Sequence, residues 1–166
     1  MFCANDTIHY GGSGVCLIQE IATMRFGRTR EKYYVLKPLH QNTSVIYVPV
    51  SNAQLVSKMR PILTKEAADA LIASIGQIEP VWIDDINQRK LKFDELLHSG
   101  NCADLICIIK PLLLQRTRRQ AEGKTLHVSD ESFLREAQRL LYDELASVLE
   151  LTPKEVEAQL QPLLNG

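Results

Sequence analysis

The chain has 166 residues, 45% hydrophobic and 23% charged, with a formal net charge of −1. Such totals describe a globular protein of one ordinary or two small domains, and they argue against disorder or a protein that coats nucleic acid through bulk charge. No apolar run approaches the roughly 20 residues of a bilayer span, and MFCANDTIHY lacks the basic start and apolar stretch of a signal peptide, so a cytoplasmic protein without membrane partners is expected.

From Asp6 to Val50 the pattern is that of strands. TIHY, GVCLIQEIATM, EKYYVLKPL and SVIYVPV are rich in β-branched and aromatic residues, which predicts a small antiparallel sheet or barrel. GGSG at 11–14 falls between the first two segments. A phosphate loop needs a helix next, but GVCLIQEI reads as strand, so these glycines are assigned to a tight connection. FGRTRE at 26–31 is a second turn, with Arg25, Arg28 and Arg30 around Gly27; they either guard the sheet edge or form a docking surface.

Near Arg60 and Pro61 the period changes to a helical one, giving a division into residues 1–60 and 61–166. Charge divides as well: residues 1–60 hold seven Lys or Arg against three Asp or Glu, whereas residues 61–166 hold twelve against seventeen. Thr64 is placed to cap KEAADALIASI, with Gly76 to end it. Pro80 then marks an extended linker carrying Trp82, the single tryptophan. A helix is predicted from Asp84 or Asp85 to His98, its acids capping the free amides and opposing the macrodipole. SGN at 99–101 stops it, and Asn101 caps ADLICIIKPLLLQRTRRQAEG, in which Pro111 predicts a kink or break near Ile109 and Lys110. Ser129, Asp130 and Glu131 open ESFLREAQRLLYDELASVLE, and Thr152, Pro153 and Glu155 form a capping-box start for a last helix to about Leu163. The expected class is α+β in two domains, a β domain followed by an all-α bundle of about five helices.

Catalytic signatures are absent: no GxSxG, HExxH or Walker sequence occurs, and SGN separates His98 from Cys102. Cys3, Cys16, Cys102 and Cys107 lack CxxC spacing and read as small buried hydrophobes, with no metal, cofactor or disulfide framework expected. No enzyme and no small-molecule substrate are expected. Two features remain for binding. Lys110, Arg116, Arg118, Arg119 and Lys124, against Glu122, make the one strongly basic run, which is either a solvated helix end or a nucleic-acid contact. Trp82 is either a core plug or an exposed indole, and its linker position, with Arg89 and Lys90 one or two turns into the next helix, suits stacking on a base.

In chain order, DTIHYGGSGVCLIQEI, YYVLKP, YVPVSN, the Pro-x-Trp element before Arg-Lys, SGN and LHVSDESFLREAQRLLYDELA resemble the CarD-like (CarD/CdnL) bacterial transcription regulators over nearly the whole chain. The resemblance implies a Tudor-like N-terminal domain, shared with transcription-repair coupling factors, that docks on the β subunit of RNA polymerase. The matching stretches point to Met24, Arg25, Phe26 and Tyr47, with Ile46 as a neighbour. It further implies a helical domain that contacts promoter DNA at the upstream edge of the transcription bubble, with Trp82 as a wedge. Arg89, Lys90, Arg116, Arg118, Arg119 and Lys124 are then the candidate phosphate contacts. The protein is expected to be a monomer, associated with the nucleoid through the polymerase. Relatives depart in two respects: some carry basic residues directly after the Trp, where this chain has Ile83, Asp84 and Asp85, and an Arg can stand at the position of Tyr47. The competing expectation is a protein–protein adaptor that makes no direct DNA contact.

Overall fold

The computed structural model describes residues 1–41 and 44–165. They form two compact units, Met1–Ile62 and Leu63–Gly166, and the architecture is α+β, a five-stranded sheet followed by helices. Among the described residues no helix is long and apolar enough to cross a membrane.

The first unit is an antiparallel sheet of β1 (Thr7–Tyr10), β2 (Gly14–Phe26), β3 (Thr29–Pro38), β4 (Ile46–Pro49) and β5 (Met59–Pro61), in the spatial order β4-β3-β2-β1-β5. The GG of GGSG makes no phosphate cradle: Gly11–Ser13 is a single 3-10 turn running directly into β2. Between β2 and β3 the connection is the pair Gly27 and Arg28, with Gly27 at φ 64°. Glycine takes that left-handed value without the Cβ clash that makes a hairpin turn costly for other residues. Strand β5 and the one-turn helix α1 (Ala53–Val56) before it lie outside the expected elements. Both are too short to show a hydrophobic period, and Pro61 is tolerated because β5 is an edge strand.

One face of this sheet buries Ile8, Cys16, Ile18, Tyr34, Leu36, Val48 and Met59 as a common core. Burial pushes the Cys16 thiol up to about 11, so at pH 8 it remains protonated and poorly nucleophilic. Alkylation of the native protein by iodoacetamide at pH 8 should therefore mark exposed Cys3 first, with buried Cys16 and Cys102 reacting only after denaturation. Peptide mass mapping checks this, and equal native labelling at Cys3 and Cys16 would contradict the packing.

In the second unit, α2 (Lys65–Ser74) leads through a 3-10 turn to the linker, followed by α3 (Ile86–Ser99), α4 (Cys102–Ala121), α5 (Val128–Leu149) and α6 (Pro153–Leu164). Local chemistry sets most boundaries. Thr64 accepts from the Ala67 amide, Asp85 from Gln88 and Asn101 from Ala103. Thr152 and Glu155 complete a reciprocal capping box, and Gly100, at φ 71°, ends α3.

Helix α4 is the centre of the unit: Leu105, Ile106, Ile108, Ile109 and Leu112 are fully buried, and α3, α5 and α6 pack on it. The break expected near Ile109 and Lys110 does not occur, for the helix continues through Pro111. Proline removes one ladder hydrogen bond and crowds the preceding turn, at about 3 kcal/mol. Apolar packing on both sides of Pro111 outweighs that cost. A second correction concerns α5, which starts at Val128, with His127 at the cap position and no side-chain capping bond. Ser129 does not cap it, and Asp130 turns inward.

Candidate functional site

On the β unit the registers determine which side chains share a face. Met24 lies opposite Glu31, Phe26 opposite Thr29 and Tyr47 opposite Val35. Directly paired residues point the same way and alternate residues of β3 agree, so Met24, Phe26, Tyr33 and Tyr47 share one face. Phe26 meets Tyr33 edge to face at 5.1 Å and Tyr47 at 6.0 Å. Phe26 and Tyr47 remain 48% and 41% exposed, so this aromatic cluster faces solvent. The Tyr33 hydroxyl donates to Glu31, which also accepts from Ser51 at 2.7 Å. Partial burial and that carboxylate hold the phenol above its usual range.

Two of the five residues expected on this surface lie elsewhere. Ile46 pairs with Leu36 on the opposite face and packs against the core. Arg25 pairs with Arg30, and its Nε donates to the Gly27 carbonyl, bracing the turn. Tyr33 was not anticipated, although a Tyr-Tyr pair in a strand must send one ring to each face.

On the helical unit Trp82 is half-buried against the helical core. The largest departure from expectation is Arg89, read from sequence as a phosphate contact. It is 2% exposed. Its Nε and one terminal nitrogen donate to the two carboxylate oxygens of Asp130, at 2.9 and 2.8 Å. The other terminal nitrogen donates to the carbonyls of Ile83 and Asp84. The guanidinium carbon lies 4.4 Å from the centre of the Trp82 ring. Four of the five N–H donors of the fork are thus engaged inside the protein, leaving this cation unsuited to a phosphate.

Lys110 is displaced from the basic run in the same way: it is buried, and its ammonium donates to the carbonyls of Ile75 and Ile78 at 2.9 and 2.6 Å. It closes the end of α2 and the start of the linker. Of the two acids after Trp82, Asp85 turns to its own helix as the cap, and Asp84 gives its carbonyl to Arg89.

The remaining cations differ in setting. Lys90 is exposed beside Arg89 on α3, and Arg118 is exposed on α4. Arg119 donates from Nε to the Thr125 carbonyl and lines, with Trp82, Asp84, Gln115 and His127, a recess of about 180 Å³ that Ile86, Arg89 and Asp130 also border. Arg116 borders a different groove with Pro80, Lys110 and Leu164. Lys124 has its ammonium 3.8 Å from Glu122. The structure thus brings Arg119 to Trp82 and leaves Arg116 on another surface.

A small antiparallel sheet that turns an aromatic cluster and an edge strand to solvent has the build of a protein-interaction module. Residues 2–63 match the model of the CarD-like/TRCF RID domain. The N-terminal unit is thus similar to a domain family associated with transcription and RNA polymerase binding. No curated protein matches the chain.

Proposed function

We propose that the protein is a transcription regulator that docks on the β subunit of bacterial RNA polymerase through the face carrying Met24, Phe26 and Tyr47, and then stabilises the open promoter complex through Trp82 at the upstream edge of the bubble. The observation that carries the DNA step is the half-buried indole, stacked on a buried guanidinium at the rim of a recess shared with Arg119. An aromatic ring with a cation beside it suits an unstacked base and its phosphate. Lys90, Arg118, Arg119 and Lys124 supply the phosphate contacts; Arg89, buried, and Arg116, on another surface, do not. Docking raises the local concentration of this weak DNA surface, so a chain of net charge −1 suffices. Edge strand β4, which carries Tyr47, offers backbone groups for pairing with a partner strand, and the aromatic face gives specificity.

The docking step is tested with Phe26→Ala combined with Tyr47→Ala. Aromatic anchors at an interface centre are worth about 2 kcal/mol or more each, about 4 kcal/mol for the pair, so affinity for core polymerase should fall roughly 1000-fold. Because both rings lie outside the buried core of the sheet, the far-UV circular dichroism should stay unchanged. Undiminished binding would move the docking surface elsewhere.

A second reading has its own support. Val81, Leu91 and Val128 are 71%, 72% and 88% exposed, apolar surface that suits a protein partner of the helical unit. Photocrosslinking from position 81 within a promoter complex separates the two: crosslinks to DNA support the wedge, and crosslinks to protein alone support the adaptor.

A further inference from the structure

Arg89 is more heavily engaged than a core ion pair requires. Its carboxylate partner lies in the first turn of α5, its own backbone is in α3, and its third nitrogen reaches back to the carbonyls of Ile83 and Asp84, the two residues following Trp82. One planar group therefore joins two helices to the linker that presents the indole, and lies against the ring itself. An Asp130–Arg89 pair serving only to join α5 to α3 would have no need of those linker carbonyls. Lysine in place of Arg89 would not serve either, because a point ammonium gives neither the two-pronged carboxylate grip nor the flat surface beneath the ring.

We infer that Arg89 and Asp130 are positioning residues for Trp82: the pair fixes the linker backbone and holds the indole in one orientation before DNA arrives. This rests on the reading of Trp82 as the DNA-contacting ring. Its physical content is preorganisation. A free indole on an extended linker must be ordered on binding, and an indole already held avoids that entropy. The cation beneath the ring adds an attraction that persists because the site is desolvated.

Removal of one partner alone strands a buried charge and risks unfolding the helices. The informative variant is therefore Arg89→Met combined with Asp130→Leu, which replaces the ion pair by apolar volume while removing the donors to Ile83 and Asp84 and the surface under the ring. Because Trp82 is the single tryptophan, its fluorescence reports the indole directly. Acrylamide quenching and fluorescence anisotropy of the full-length protein should show a more accessible, more mobile indole in the double variant. Polymerase binding should be unchanged, and open-complex lifetime should fall about 2- to 10-fold, the range expected for ordering a side chain upon binding. In a Trp82→Ala background the same double change should have no further effect on lifetime, which a merely structural role would not produce.

Quenching and anisotropy equal to wild type overturn the inference, whatever the lifetime does. A loosened indole with an undiminished lifetime overturns its functional half. Should Trp82→Ala itself leave lifetime untouched, it is the wedge that fails, and the fluorescence of the double variant still decides whether Arg89 and Asp130 hold the ring.

Discussion

Trp82→Ala is expected to shorten the open complex about 5- to 150-fold at a promoter whose open complex is unstable, with polymerase affinity unchanged. Stacking of a base on an aromatic side chain is worth about 1–3 kcal/mol, and that energy corresponds to this range. The loss falls on lifetime because the ring acts only by favouring the melted state over the closed one; at a promoter already stably open, little differential remains to lose. Polymerase binding should be spared because the proposed docking face lies within Met1–Ile62 and Trp82 within the other unit. The ring is half-buried, so some helical packing goes with it. Circular dichroism of the variant should nevertheless report folded helices, since the fully buried residues of α4 and α5 are untouched.

The second large effect is on stability. Asp130→Ala leaves the guanidinium of Arg89 buried without its carboxylate, and breaking a buried pair in this way costs about 3–5 kcal/mol. Against the roughly 5–15 kcal/mol that holds a typical domain, that is a substantial share, and the helical unit should melt about 10 °C or more below wild type. Thermal melting followed at 222 nm, where the helices dominate, measures it. A change of only a few tenths of a kcal/mol would mean that Arg89 finds water in place of Asp130, and that the fork is not sealed as described. By contrast, Lys90→Ala removes an exposed cation on the next residue of the same helix and should leave melting within about 0.5 kcal/mol of wild type.

The contrast between Arg89 and Lys90 shows where sequence reading succeeds and where it stops. Helix ends were legible because their causes are local: Thr64, Asp85, Asn101 and Thr152 each cap amides two or three residues away. Strands β1 to β4 were legible from their β-branched and aromatic content. The partner of Arg89 lies 41 residues further along the chain, and no period or spacing connects the two. Asp130 therefore looked like one more acid in a helix's first turn, and Arg89 like one more free cation. Lys110 misled for the same reason: its neighbours Ile108, Ile109, Leu112 and Leu113 are buried on a central helix, and only the fold reveals that its ammonium donates to the carbonyls of Ile75 and Ile78. Pro111 was judged by backbone chemistry alone, whereas the packing around α4 overrode it. On the sheet, the strands were recognisable, and their alternation alone sets Arg25 opposite in face to Met24 and Phe26, and Ile46 opposite to Tyr47; what sequence does not fix is the register that brings Phe26, Tyr33 and Tyr47 together.

Within residues 81–90, VWIDDINQRK, the side chains have distinct roles. Asp85 caps, Arg89 underlies the ring, Asp84 lends a carbonyl, and Lys90 alone among the stretch's cations faces solvent.

The most direct test of the central claim is the lifetime of the open complex at an unstable promoter, followed after a heparin challenge. Polymerase would be compared alone, with the wild-type protein, with Trp82→Ala, and with the Phe26→Ala, Tyr47→Ala double variant. The wild-type protein should prolong the complex; Trp82→Ala should bind polymerase and fail to prolong it; the double variant should do neither. A Trp82→Ala protein that prolongs the complex as well as wild type would contradict the account.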